Sequence, residues 1–159
     1  MVKVYAANKQ YLQMSEDEVW TFLNERKIMT VATVTEEGIP HNTPVWYIVH
    51  NKKIYFRAQT YKVKIINIKT KHHVSCVVED GENYSELKGV MIQGDARIVN
   101  DDDFAYQMNE NLLSKYVEER KMDLMPDKWK KARRNESRSI VEIMPLRVAS
   151  WDNSKLIED

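Results

Sequence analysis

Cysteine is nearly absent from this 159-residue chain: Cys76 is the only one, so no disulfide can form within it. It sits in the apolar run His73-Val74-Ser75-Cys76-Val77-Val78, where a thiol reads as a small buried hydrophobe on a strand rather than a nucleophile. Glycine and proline are scarce, at four each, and neither a phosphate-binding glycine loop nor the glycine-rich dinucleotide fingerprint occurs. Net charge is absent too. Lysines and arginines number 24 and so do the acids, which argues against a dedicated nucleic-acid binder with its basic excess. No stretch approaches the ~20 apolar residues of a membrane span, and Met1-Val2-Lys3-Val4-Tyr5 does not lead into a signal-peptide core. With no disulfide, span or leader to read, the expected compartment is the cytoplasm.

What is present fits one ordinary globular domain over 1–159. Hydrophobic residues make up 43% and charged residues 30%, well away from the composition of a disordered chain. Ser15-Glu16-Asp17-Glu18 has capping-box spacing and starts a helix to about Arg26, with Val19, Trp20, Phe22 and Leu23 on its buried face. From Ile28 to Val34 the β-branched content predicts a strand, with Glu36-Glu37-Gly38 as the turn. The return strand from His41 to Val49 contains Pro44, which cannot donate to a ladder and so marks an edge or bulge. Asn51-Lys52-Lys53 turns the chain into Ile54-Tyr55-Phe56-Arg57. Further strands are expected over 74–79, 89–99 and 139–151, with Gly94 at a bulge or close approach. A helix from Asp101 carries the stripe Phe104, Met108, Leu112 and Tyr116, and a second helix is expected after Pro126. Six short antiparallel steps with flanking helices predict an α+β domain built on a small six-stranded β-barrel.

Chemistry concentrates between Glu37 and Glu79. That interval holds no acidic residue, yet it carries Lys52, Lys53, Arg57, Lys62, Lys64, Lys69 and Lys71. Such a local excess suits a bound anion, with solvated surface as the bland alternative. The segment Tyr61 to Thr70 is ambiguous, since Lys62-Val63-Lys64-Ile65 alternates while Val63, Ile66 and Thr70 keep helical spacing; a helix starting here would add its amides to an anion site. Other constellations are poorer. His72 and His73 are expected on opposite faces of a strand, so no metal pair is assigned. Ser75, Ser85 and Ser114 lack a nucleophile-elbow setting, and the basic run from Lys128 to Arg134 reads as a solvated helix face. No catalytic residue is nominated.

The ordered series Ala32-Thr33-Val34, Gly38-Ile39-Pro40, Thr43-Pro44-Val45-Trp46-Tyr47, Ile54-Tyr55-Phe56, Lys64-Ile65-Ile66-Asn67, Val74-Ser75, Gly89 to Ala96 and Pro145 to Trp151 resembles the pyridoxamine 5'-phosphate oxidase-like family of flavin-binding split barrels. The resemblance runs from about Ser15 to Trp151. It implies a homodimer with FMN at the subunit interface, acting as an oxidoreductase on a small molecule. It places Thr43, Pro44, Val45 and Trp46 along the flavin ring, and Phe56, Arg57 and Lys64, helped by Lys62, at the ribityl phosphate. Trp151 resembles a tryptophan that reaches the flavin from the partner subunit.

The chain also departs from the vitamin oxidases themselves. They have arginine at the position of Thr43, lysine at that of Ile48 and arginine at that of Val63, and they end in an arginine-containing tail absent after Asp152. The resemblance therefore points to small reductases of undefined substrate. Two alternatives stay open: a deazaflavin coenzyme, whose acidic tail would suit Lys69 and Lys71, and a non-catalytic flavin or haem carrier or sensor, with His41, His50, His72 and His73 as the available haem ligands.

Overall fold

Ser15 does what its spacing predicts. Its hydroxyl accepts the Glu18 amide at 3.2 Å while the Glu18 carboxylate accepts the Ser15 amide at 2.6 Å. This reciprocal cap, worth about 1 kcal/mol, starts helix α1 at Glu16–Glu25. The fold comes from a computed structural model that describes residues 2–7, 9–116 and 137–156. Strands β2 (Ile28–Val34), β3 (Pro40–His50) and β4 (Lys53–Gln59) follow as two hairpins. Helix α2 (Val63–Thr70) then leads to strands β5 (His73–Asp80) and β6 (Lys88–Ile98). Helix α3 (Asp102–Tyr116) and the long strand β7 (Arg138–Asp152) complete the fold. The helix expected after Pro126 and the basic run from Lys128 to Arg134 lie outside the described residues.

Six strands close in the order β7-β4-β3-β2-β5-β6 and back to β7, with every neighbour antiparallel. The short strand β1 (Val4–Ala6) lies outside the barrel and runs parallel to β7, Val4 opposite Val148 and Ala6 opposite Ser150. Three residues are too few for a periodic signal, which is why the sequence did not announce it. The α+β class and the barrel stand as expected. The closing seam between β6 and β7 slips at Gln93/Gly94, where β7 carries one extra residue. A Cβ on Gly94 would lie 2.5 Å from the Met144 carbonyl oxygen, so the bulge needs a glycine there.

Alternation sorts each strand. Met29, Val31, Phe56, Val74, Cys76, Ile92 and Ile143 fill the barrel, all at most 6% exposed. Burial pushes the Cys76 thiol up to about 12, in keeping with an inert core residue. A second cluster forms on the outer wall, where Met108 and Leu112 of α3 cover Ile48, Tyr55 and Ile140. Phe104 and Tyr116 extend that stripe, as their spacing predicts.

Candidate functional site: the split between β3 and β4

Strand β3 changes partners halfway along. Pro40 to Trp46 pair with β2, from Pro40 opposite Val34 to Trp46 opposite Ile28, whereas pairing with β4 runs only from Tyr47 opposite Phe56 to His50 opposite Lys53. Beyond Tyr47 the two strands diverge. Among the described residues, one edge of β3, from Pro40 to Trp46, therefore has no strand partner, and Pro44 stands on that edge, where its missing N–H costs nothing. The chain leaves β4 beside this opening, turns through Tyr61 and enters α2.

The ambiguous segment is thus a helix, with Lys62 as its N-cap in extended conformation. Asn67 anchors it: the buried side-chain amide donates to Thr33 Oγ1 of β2 at 3.0 Å. Ile65 and Ile68 sink into the barrel end, and the same turn leaves Lys62 and Val63 exposed. Lys64 is half-buried. Burial, and after it the neighbouring Lys62 charge, lowers the Lys64 pKa, and its Nζ has neither a hydrogen bond nor an ion pair among the described residues. A cation placed where it is disfavoured, beside a second cation and without a carboxylate, is the arrangement an anion would relieve.

More polar groups collect around the opening. His41 Nδ1 and Thr43 Oγ1, both on the part of β3 that faces no second strand, are buried without a partner among the described residues. Two residues before Lys62, the Thr60 hydroxyl lies 2.9 Å from the Ser137 hydroxyl and 3.4 Å from that of Ser139. The sequence offered His41 only as one of four available haem ligands, and this hydroxyl group did not stand out, because Ser137 and Ser139 reach Thr60 only through the pairing of β4 with β7.

The other expected site residues fall on different sides of the wall. Val45 faces the core, and Phe56 is wholly buried there, so its side chain shapes the barrel from within. Pro44 and Trp46 face outward, Trp46 at 41% exposure. Arg57 points out beneath α3, where its guanidinium donates to Asn109 Oδ1 at 2.6 Å. Trp151, opposite Gly89, lies across that glycine on the outer face of β6 and β7; a Cβ on Gly89 would sit 2.1 Å from the indole.

The end of α3 docks onto the point where β3 changes partner. Tyr116 stacks on Trp46 with centroids 4.7 Å apart, its hydroxyl accepts the Tyr47 amide at 2.9 Å, and it donates to the Lys27 carbonyl at 2.6 Å. Lys115 Nζ donates to the Arg26 carbonyl at 2.7 Å and lies 4.5 Å from the Tyr47 ring centroid. Burial, then the Lys27 charge, lowers its pKa to about 8. The sequence offered Tyr116 only as the last member of an apolar stripe.

Comparison with known proteins agrees with this architecture. No functionally curated protein sequence matches the chain. A conserved hypothetical protein of Mycobacterium tuberculosis superimposes with a TM-score of 0.80 at 29% identity, over 93% of this chain and 91% of that one. The FAD binding protein of Mycobacterium smegmatis gives 0.58 at 18% identity, over 86% and 93%. The haem storage protein of Vibrio cholerae gives 0.64 at 16%, over 82% and 89%. At such identities the last two share the fold alone. Residues 15–152 match the pyridoxamine 5'-phosphate oxidase family, from the cap of α1 to the end of β7 and so across both walls of the split, and the chain belongs to that family.

Proposed function

We propose that this protein binds a flavin, FMN, at the split between β3 and β4 and works as a flavin-dependent oxidoreductase on a small molecule. The observation that carries the reading is Lys64: half-buried, its pKa lowered, facing Lys62 and without an anionic partner among the described residues. The surrounding groups fit a cofactor with a charged tail and a flat ring. Lys62, Lys64 and the first amides of α2 suit the phosphate, with the Thr60, Ser137 and Ser139 hydroxyls beside them. The unpaired edge of β3, with Thr43 Oγ1 and His41 Nδ1, offers polar groups to the ring, and the outward Pro44 and Trp46 offer apolar surface. The FAD binding named for the Mycobacterium smegmatis relative supports a flavin as the class of cofactor.

A second copy of the chain completes the proposed site. The outward face of β2, β3 and β5 is uncharged along Ile28, Thr30, Pro44, Trp46 and Val77, and Tyr116 at the end of α3 stacks on Trp46 at its rim. Ile28 is 50% exposed there. An apolar sheet face of this kind beside a cofactor cleft suits a twofold interface, across which Trp151 of one subunit reaches the other's site.

The flavin would supply hydride and electron transfer. This chain's residues bind and orient: Lys62 and Lys64 hold the phosphate, the β3 edge fixes the plane of the ring, and the subunit interface keeps water from it. No side chain here needs to act as acid or base.

Absorption of the purified protein, followed by fluorescence titration with FMN, tests the proposal. A two-band flavin spectrum is expected, and Lys64→Ala should weaken FMN binding by about 1.5–3 kcal/mol, the scale of a hydrogen bond to a charged group. A single-band deazaflavin spectrum, a Soret band, or FMN affinity unchanged in Lys64→Ala would each count against it.

A further inference from the structure

His72 and His73 do not part to opposite faces as strand alternation predicts. His72 precedes the first residue of β5, so the alternation does not yet hold, and the two imidazole centroids lie 4.4 Å apart. Asp95 of β6 joins them. Its Oδ1 is 2.6 Å from His73 Nδ1 and 3.9 Å from His72 Nε2, and the three potential ligand atoms all lie within 4.8 Å of one another.

From this geometry we propose that His72, His73 and Asp95 form a surface binding site for a divalent transition metal of the zinc class, separate from the split between β3 and β4. The ligands stand on a rigid base. His73 and Asp95 are register partners in the β5–β6 ladder, and the Ala96 amide donates to the His72 carbonyl at 2.8 Å, so the backbone carrying all three is fixed by the sheet. Donor atoms around one tetrahedral zinc at ~2.0–2.2 Å stand ~3.3–3.6 Å from one another, a spacing these side chains reach with small rotations. The two histidine side chains are 61% and 77% exposed, which leaves them free to make those rotations and leaves the site open to solvent.

The donor set decides the class of ion. Two imidazoles and one carboxylate suit zinc, nickel or copper, whereas magnesium and calcium require a shell of oxygens. Three protein ligands leave a coordination position for water or an exogenous ligand. Lys71, the nearest cation in sequence, turns its Nζ away to the Glu36 carbonyl at 2.8 Å. A plain surface pair between His73 and Asp95 is the competing explanation, and it makes no use of His72.

Calorimetric titration of the untagged, chelator-treated chain with zinc chloride distinguishes the two. One zinc per chain is expected, with no heat from magnesium chloride. His72→Ala, His73→Ala and Asp95→Asn should each weaken zinc binding by at least about tenfold. His50→Ala should leave it unchanged. All three ligands are surface side chains, and thermal melts without metal check that the variants fold. Absence of zinc uptake by the wild type, or undiminished affinity in His72→Ala, overturns the proposal. The titration is made without flavin, so its outcome does not depend on the cofactor assignment.

Discussion

Tyr116 holds Trp46 from one side: the rings lie nearly parallel, at 10°, and the Tyr116 hydroxyl takes the Tyr47 amide where β3 passes from β2 to β4. A residue at the end of α3 thereby fixes a side chain that borders the split. Burial pushes the Tyr116 phenol up to about 12, so it stays protonated and keeps donating across the neutral range. Tyr116→Phe keeps the stack but leaves the Tyr47 amide without that acceptor, at a cost of about 1–3 kcal/mol in urea unfolding. A midpoint equal to that of the wild type would show that the hydroxyl does not secure the junction.

The proposed phosphate contact carries its own pH signature. A lysine grips a phosphate only while protonated, and burial lowers the Lys64 pKa from its ordinary 10.5. FMN affinity should therefore be full near neutral pH, where the phosphate is ionised as well, and fall as pH rises through that lowered value, before ordinary lysines titrate. Lys64→Arg, which stays charged, should flatten the profile. Fluorescence titrations across the alkaline range measure both.

Gly89 accommodates the Trp151 ring, so Gly89→Ala must displace it. The expected cost is about 1–3 kcal/mol, on the scale of an overpacked contact. If Trp151 reaches the partner's cofactor, flavin affinity should fall as well, whereas stability alone would change if the tryptophan only packs. Paired thermal melts and flavin titrations separate these outcomes.

Glu142 is 5% exposed, and burial alone would raise its pKa. Bonds from Arg97 at 2.8 Å and Tyr55 at 2.7 Å, with Lys53 at 3.3 Å, outweigh that and hold it below its ordinary 4.5. A carboxylate with a depressed folded pKa contributes stability that is complete above its unfolded value and is lost as pH falls through the folded one. Glu142→Gln should cost about 2–3 kcal/mol at pH 7, and the difference from wild type should shrink below about pH 4. Urea midpoints over that range provide the check.

Asn51 and Lys52 both have positive φ, 50° and 55°, in the two-residue turn between β3 and β4. Such a turn favours glycine at its second position, and a lysine there costs about 1–2 kcal/mol. Lys52→Gly removes that strain together with an exposed ion pair to Glu16, a contact worth about 0–1 kcal/mol at a surface. The net expectation is a higher melting temperature.

Much of the fold was legible along the chain because its signals are local. The cap at Ser15, the alternation of β2 and β5 and the stripe from Phe104 to Tyr116 need only neighbours a few residues apart. Residues 61–70 were ambiguous because two periods coexist there, and only the docking of Asn67 on Thr33 settles the helix. Strand β1 was invisible for lack of length. His72 and His73 were misplaced because the alternation rule was applied one residue before its strand begins.

For the site, the sequence by itself determined the charge: a stretch from Glu37 to Glu79 without an acid, rich in lysine and ordered in a way that resembles one family. Composition is a one-dimensional property, and it survives folding. Which of those cations lack partners was decided by the tertiary structure. Packing buries Lys64 beside Lys62, sends Arg57 to Asn109 and Lys52 to Glu16, turns Phe56 into the core and leaves one edge of β3 open. Burial and pairing depend on residues distant in sequence, so only the closed barrel with α3 laid against it could assign them.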